Sequence, residues 1–129
     1  MVGVLIVSHS KKAAEGIYEL AVQMAGEDHR VFAVGGMEDG SIGTDAVRIK
    51  DGIEQANDGD GVVLLADLGS GILSSEMAIE LLEEDITVKI ADAPILEGAI
   101  AAAVQAAIGG TLSEVVEAAE MAKQMSKLG

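Results

Sequence analysis

Cysteine and tryptophan are absent from the sequence, and its aromatic residues are one phenylalanine and one tyrosine among 129 residues. Without cysteine, neither a disulfide framework nor a thiolate metal site can form. The only two histidines, His9 and His29, are far apart in the sequence and make a poor ligand set for a metal. We therefore expect one domain over residues 1–129, with an aliphatic core and no bound metal or cofactor.

Basic residues are also scarce, because eight lysines and arginines stand against 22 aspartates and glutamates, for a formal charge of −14. Such a surface repels nucleic-acid phosphates, so DNA or RNA binding is disfavoured. The apolar stretch at residues 2–7 is far shorter than the roughly 20 residues that a bilayer span needs, and no basic region precedes it. We expect a cytoplasmic protein with no membrane or nucleic-acid partner.

Apolar runs alternate along the chain with segments whose apolar residues recur every three or four positions. The runs predict four strands, at residues 2–7, 31–34, 62–66 and 86–90. The periodic segments predict five helices. These are residues 13–24, residues 46–56 opened by Thr44 and Asp45, a helix from DLGSG to Leu82, a helix from Pro94 to Gly109, and residues 111–127 opened by the capping box Thr111–Glu114.

Alternation of strands and helices is typical of an α/β fold with a parallel sheet and right-handed crossovers. We expect an open four-stranded parallel sheet in the order 2-1-3-4, half of a flavodoxin-like arrangement, with helices on both faces. Residues 95–108 are apolar nearly all round, with alanine at six positions. That helix needs cover on a second side, from the last helix or from another subunit, and we expect a homodimer.

His9 and Asp67 are the candidate catalytic residues, because they follow the first and third strands, which this strand order makes neighbours. A carboxylate on one imidazole nitrogen fixes the tautomer and makes the other nitrogen a better nucleophile. It also stabilises the positive ring that forms when that nitrogen attacks an electrophile. A histidine after a strand is, however, also a common turn or cap residue.

Elements that favour an anion surround this pair. Gly69, Ser70 and Gly71 stand at the start of a helix, where backbone N–H groups and the helix dipole attract phosphate. Thr44 lies in a second glycine-rich loop before a helix, and Ser10 follows the histidine. Nearby hydroxyl groups (Ser8, Ser10, Ser70) could donate hydrogen bonds, and nearby ammonium groups (Lys11, Lys12) could attract the anion.

This constellation favours phosphoryl transfer through a phosphohistidine over other chemistry. A serine hydrolase is disfavoured because there is no GxSxG elbow, and no EF-hand loop is present. His29 lies in a polar stretch and receives no role. A non-catalytic module that binds a small ligand in the same crevice remains an alternative.

Four stretches carry a family resemblance: GVLIVSHSKKAAEG, EDGSIGTD, GVVLLADLGSGILSSEMA and ADAPILEGA. With them, nearly the whole chain resembles the mannose-type enzyme IIA domains of the bacterial phosphotransferase system, and most of all their DhaM branch. The resemblance implies a phosphotransferase subunit that receives the phosphoryl group from the carrier HPr on His9, with Asp67 as its partner. It further implies transfer to ADP bound to DhaL, which with DhaK phosphorylates dihydroxyacetone. An enzyme IIA of a mannose-type sugar transporter is the alternative.

Two departures from the family pattern shape these expectations. Some DhaM proteins carry fused HPr-like and enzyme-I-like domains, which this sequence lacks, so HPr is expected as a separate partner. Mannose-type enzyme IIA domains also have a C-terminal edge strand exchanged in the dimer, whereas residues 111–127 have a helical pattern here. Finally, the DLGSG loop lacks the tryptophan of the sugar-transporter branch, which favours the DhaM branch.

Overall fold

The computed structural model describes all residues from Met1 to Gly129, and strands alternate with helices until two helices end the chain. In chain order the elements are β1 (Gly3–Ser8), α1 (Lys11–Ala25), β2 (Val31–Gly35), α2 (Ala46–Ala56), β3 (Val62–Ala66), α3 (Gly69–Glu80), β4 (Val88–Ile90), α4 (Ile95–Ala107), α5 (Leu112–Met121) and a 3₁₀ turn (Ala122–Gln124).

The four strands form one sheet in the order β2-β1-β3-β4, and every neighbouring pair is parallel. The predicted fold class and strand order are therefore confirmed. β1 is central and buried along its whole length, because helices cover both faces of the sheet. Its register aligns Val7 with Val34 on one side and with Ala66 on the other. The carboxyl ends of β1 and β3 consequently lie side by side.

Two hydrophobic layers hold the helices against the sheet. One joins α1, α4 and α5 to the sheet through mostly alanine and valine side chains. The other joins α2 and α3 to the opposite face around leucine and isoleucine side chains such as Leu5, Ile49 and Leu64. α4 packs between α1 and α5, so its second apolar side is covered within the chain by the last helix, which was one of the two expected solutions. None of the helices is both long enough and apolar enough to cross a bilayer.

Several element boundaries differ from the sequence prediction, most of them by one or two residues. α1 begins at Lys11, ahead of the apolar stripe that starts at Ala13, and the Ser10 hydroxyl caps the helix by accepting a hydrogen bond from the Ala13 amide. β4 pairs only over Val88–Ile90, since the preceding residues turn at Glu84–Ile86. The last helix ends at Met121 and its 3₁₀ turn at Gln124, not near residue 127, because the backbone becomes extended at Met125.

Candidate functional site

The end of β1 gathers the loops that build the site. The Asp67 amide donates to the Val7 carbonyl oxygen (3.2 Å), which ties the turn after β3 to β1. From the other side, the amides of Gly36 and Gly43 donate to the carbonyl oxygens of Ser8 (3.1 Å) and His9 (2.9 Å). Main-chain hydrogen bonds therefore hold the loop after β2 beside the histidine.

His9 and Asp67 meet as the strand order predicted. The His9 Nδ1 atom lies 2.8 Å from Asp67 Oδ1, and both side chains are only 19% exposed. The His9 amide donates to Asp67 Oδ2 (3.0 Å), and the Leu68 amide donates to Oδ1 (2.8 Å). The buried Ser8 hydroxyl also donates to Oδ2 (2.9 Å) and itself accepts from the Ser10 amide (3.1 Å). Each carboxylate oxygen thus accepts two hydrogen bonds.

These contacts determine the charge of Asp67 and the tautomer of His9. Partial burial by itself raises the pKa of the Asp67 carboxyl, but hydrogen bonds from the His9 amide, the His9 ring and the Ser8 hydroxyl outweigh burial and hold the pKa below its ordinary value. An ionised carboxylate only accepts hydrogen bonds, which assigns the ring proton to Nδ1. The Nε2 lone pair of the neutral ring then points away from Asp67.

Nε2 faces the first turn of α3. The Ser70 hydroxyl lies 2.6 Å from Nε2 and donates to it when Nδ1 carries the ring proton. α3 begins without a side-chain cap, because Leu68 occupies the N-cap position. The amides of Gly69 and Ser70 hydrogen-bond to no group of the chain, so two N–H groups at the positive end of a helix dipole are free to receive an anion.

Gly71 lets this turn approach the histidine closely. A Cβ atom at this position would stand 3.3 Å from Asp67 Oδ1 and 3.7 Å from His9 Cε1. The Gly71 amide already donates to the Leu68 carbonyl oxygen (2.9 Å), so it is not free for a phosphate as its neighbours are. Gly71 therefore serves the site through its lack of a side chain.

The other residues that the sequence predicted for the site lie near the His9–Asp67 pair but do not contact it through their side chains. Ser10 caps α1, and the Thr44 hydroxyl is 2.7 Å from the Ser74 hydroxyl of α3. Lys11 and Lys12 are exposed in the first turn of α1. His29 lies elsewhere, with its ring edge against Tyr18 and its Nδ1 accepting from the Val31 amide.

The sequence did not predict the hydrogen bond between Ser8 and Asp67 or the one between Thr44 and Ser74. The sequence suggested Ser8 only as a hydrogen-bond donor to phosphate. Its position at the end of a buried strand could have indicated that its hydroxyl points inward and binds Asp67. No sequence signal pointed to the hydroxyl pair of Thr44 and Ser74, because it depends on how α2 and α3 pack.

No cluster of three or more histidine, cysteine, aspartate or glutamate side chains is arranged to hold a metal ion. The largest cavity, about 660 Å³, lies beside α5 and Lys89 of β4 and includes none of the residues described above. A second cavity, of about 430 Å³, adjoins the site, where Asp67, Leu68 and Gly69 line one side and residues 90–93 after β4 line the other.

Comparison with known proteins agrees with this geometry. Residues 3–116 match the family EIIA-man, described as PTS system fructose IIA component. The chain is 38% identical to the phosphoryl donor subunit DhaM of the PEP-dependent dihydroxyacetone kinase 2 of Listeria innocua, across 91% of this chain and 95% of that protein. It is 40% identical to the corresponding DhaM subunit of Providencia stuartii, across 96% of this chain but only 27% of that protein.

The chain therefore spans about a quarter of the length of the second relative and nearly all of the first. Among solved structures, a protein of unknown function superposes with a TM-score of 0.79 at 38% identity, over 92% of both chains. The family match covers far more than half of the sequence and includes every element from β1 to the first half of α5. The chain belongs to the EIIA-man family, the mannose-type enzyme IIA proteins of the bacterial phosphotransferase system.

Proposed function

We propose that this protein is the phosphohistidine carrier of a phosphotransferase-dependent dihydroxyacetone kinase in the cytoplasm. It accepts a phosphoryl group from HPr on His9 Nε2 and passes it to ADP bound to DhaL, which acts with DhaK. One observation carries the chemistry: Asp67 holds Nδ1 at 2.8 Å and leaves Nε2 facing the free amides of α3. The subunit names of the relatives support the choice of kinase.

The transfer step needs no proton movement at His9. The Nε2 lone pair attacks phosphorus and forms the new N–P bond, while the bond between phosphorus and the donor's histidine nitrogen breaks. The electron pair of the broken bond stays on the donor imidazole. The His9 ring, which keeps its proton on Nδ1, becomes positively charged, and the Asp67 carboxylate 2.8 Å away stabilises that charge.

The first turn of α3 stabilises the transferred group. Phosphoryl transfer depends mainly on positioning and on neutralising charge, and the amides of Gly69 and Ser70, which have no partner in the chain, are available to phosphate oxygens. The Ser70 hydroxyl, 2.6 Å from Nε2, must rotate away before attack. It can then donate to a phosphoryl oxygen. The resting contact therefore holds the ring in place and is exchanged for a contact to phosphate.

Phosphorylation in a reconstituted relay tests this proposal. The protein is incubated with phosphoenolpyruvate, enzyme I and HPr, and the site is mapped by mass spectrometry under alkaline conditions. We expect one acid-labile, base-stable phosphoryl group on His9, none on the His9→Ala variant, and normal labelling of the matched His29→Ala variant. Failure to label in the presence of active HPr would favour a ligand-binding module instead.

Adding candidate acceptors to the phosphorylated protein then identifies the acceptor. We expect the label to move to ADP on DhaL when DhaL and DhaK are added, and dihydroxyacetone phosphate to form. Transfer to the IIB domain of a mannose-type transporter, with none to DhaL-bound ADP, would assign the protein to the sugar-transport branch. A phosphoryl group mapped to His29 or to a serine would refute the role of His9.

A further inference from the structure

Two lysines follow the reacting histidine and have no partner within the chain. Lys11 and Lys12 are exposed at the start of α1, two and three residues after His9. Neither forms an ion pair, although the chain contains 22 aspartates and glutamates and Glu15 lies one turn further along the same helix. Both ammonium groups are therefore available to an anion that comes from outside the chain.

Most of the other cationic side chains do have a partner. Three lysines form ion pairs and both arginines donate to backbone carbonyl oxygens, at Lys50, Lys123, Lys127, Arg30 and Arg48. The other lysine without a partner is Lys89, which lies on β4 beside the cavity at α5. Two of the three unpaired lysines thus stand next to the histidine that reacts.

The position of Lys11 and Lys12 is unfavourable for α1 itself. The first turn of a helix lies at the positive end of the helix dipole, which favours acidic side chains and disfavours basic ones. α4 and α5 follow this preference with Glu97 and Glu114, whereas the first turn of α1 has no acidic residue. Local choices that oppose helix stability are expected where function requires them.

The second step of the proposed relay brings more negative charge to His9 than the first. The donor delivers one phosphoryl group and leaves as a neutral imidazole, and the amides of Gly69 and Ser70 are available to that group. The acceptor is a nucleoside diphosphate, whose own phosphates must approach a phosphoryl group that is already negative and lies near the Asp67 carboxylate. Cations are needed to offset this repulsion.

We propose that Lys11 and Lys12 bind the phosphate groups of the acceptor nucleotide while the phosphoryl group leaves His9. This inference rests on the proposed function. A terminal oxygen of the ADP β-phosphate attacks phosphorus and forms the new O–P bond. The bond between phosphorus and Nε2 breaks, and its electron pair returns to the His9 ring, which becomes neutral with its proton still on Nδ1. The two ammonium groups offset the charge of the incoming phosphates, and their flexible stems let them follow the nucleotide.

Single-turnover transfer from protein already phosphorylated on His9 isolates the acceptor step. The labelled protein is mixed with DhaL that carries ADP, and ATP formation is followed by quench flow. We expect Lys11→Gln/Lys12→Gln to slow this transfer roughly tenfold or more, because two hydrogen bonds to charged groups are lost. Labelling of the same variant by phospho-HPr should stay at the wild-type rate.

Two further readouts depend on charge rather than on structure. Lys11→Arg/Lys12→Arg keeps both charges and should restore most of the transfer rate. The difference between wild type and the glutamine variant should shrink as salt screens the attraction. The urea midpoint of the glutamine variant should not fall below that of wild type, because two cations are removed from the positive end of the α1 dipole.

Lys89→Gln/Lys127→Gln is the matched control, because it removes the same net charge from two exposed lysines on β4 and after α5. It should transfer to ADP at the wild-type rate. An equal loss in this control would overturn the proposal, and so would a wild-type rate for Lys11→Gln/Lys12→Gln or an equal loss in its labelling by phospho-HPr.

Affinity for DhaL, measured by calorimetry with and without bound ADP, distinguishes nucleotide phosphates from carboxylates on the partner protein. The glutamine variant should bind ADP-loaded DhaL more weakly than wild type does, and nucleotide-free DhaL equally well. An equal loss of affinity for both forms of DhaL would assign the lysines to a protein surface and overturn the proposal. Wild-type protein that is not labelled by phospho-HPr, or that is labelled but transfers nothing to ADP, would instead refute the proposed function itself.

Discussion

His9 and Asp67 share a hydrogen bond but make different contributions to the proposed transfer. His9 supplies the nitrogen that binds phosphorus, so no other group can replace it. Asp67 holds Nδ1 and stabilises the positive ring. We predict that Asp67→Ala slows phosphorylation from phospho-HPr about 10²- to 10³-fold, the scale seen when one preorganised charge-stabilising group is removed, while the residual label stays on His9.

Quench-flow measurement of labelling, followed by mapping of the phosphoryl group, checks this prediction. Asp60→Ala is a suitable control, because that carboxylate is exposed at the opposite end of the sheet and pairs with the N-terminal amine. A wild-type rate in Asp67→Ala would mean that the His9–Asp67 contact is structural only.

Ser8 helps to keep Asp67 ionised. Its hydroxyl donates to Asp67 Oδ2 at 2.9 Å, and it is one of the contacts that lower the pKa of that carboxyl. We predict that Ser8→Ala raises the pKa of Asp67 toward its ordinary value, measured by carbon-13 NMR titration of the carboxyl group. Ser75→Ala is the control, since it also removes a buried hydroxyl, but one that donates to the Gly71 carbonyl oxygen.

The same contact makes stability depend on pH in a defined direction. Because the folded-state pKa of Asp67 lies below the ordinary value of 3.8, the unfolded chain binds more protons between the two pKa values. The contribution of ionised Asp67 to the free energy of unfolding is fully present above the unfolded-state pKa. It is lost as pH falls through the folded-state pKa. Acid unfolding of Ser8→Ala should accordingly show a smaller loss of stability below pH 3.8 than wild type. An unchanged Asp67 titration in this variant would contradict both expectations.

At the scale of elements, the first turn of α3 lies close to the Asp67 carboxylate. A Cβ atom on Gly71 would stand 3.3 Å from Asp67 Oδ1, which is tighter than an ordinary contact. We predict that Gly71→Ala displaces the carboxylate and slows phosphorylation of His9. The free energy of unfolding should not fall in parallel, because alanine favours the helix by up to about 1 kcal/mol over glycine.

Labelling kinetics and urea unfolding of the same variant separate the two effects. Gly16→Ala provides the matched control, since it makes the same change inside α1 where the new methyl group would meet no atom within 4 Å. If Gly71→Ala were labelled as fast as Gly16→Ala, the close approach of this turn to the histidine would have no functional consequence.

The sequence predicted best the elements that are buried along their whole length, because burial alone produces their continuous apolar pattern. β1 and β3 are buried apolar runs, so their ends, and with them the meeting of His9 and Asp67, followed from the pattern and the strand order. The end of α5 did not follow, because Met125 continues the apolar spacing although it is 69% exposed and extended. The Ser70–Nε2 contact was also out of reach, since it depends on a rotamer at a helix start that has no capping side chain.

At the scale of the whole molecule, the sheet separates two surfaces with different properties. The face covered by α2 and α3 leaves Leu73 and Met77 exposed on α3, beside the exposed carboxylates of Glu76 and Glu80. The face covered by α1, α4 and α5 is built largely from alanine, so these helices pack closely without a subunit to cover them. The predicted homodimer is therefore not needed to bury α4. Its interface must instead be sought among the side chains that α1, α4 and α5 leave exposed.

That layer does leave apolar side chains in solvent, on α1 at Leu20 and Met24 and on α4 at Val104, with Ile108 directly after the helix. We predict a homodimer through this α1–α4 surface. Burial of these side chains must outweigh repulsion between two chains of formal charge −14, so dimerisation should strengthen as salt screens that repulsion.

Sedimentation velocity at micromolar concentration, in low and in high salt, measures both expectations. Wild type should sediment as a dimer, more completely in high salt, and Met24→Glu/Ile108→Glu should sediment as a monomer because each chain then brings two further carboxylates into the contact. The α3 variant Leu73→Gln/Met77→Gln serves as the control and should remain dimeric, since its changes lie on the other face of the sheet. A wild-type monomer in both salts would show that the α1–α4 surface does not bind a second copy, and the phosphoryl relay would then run through single chains.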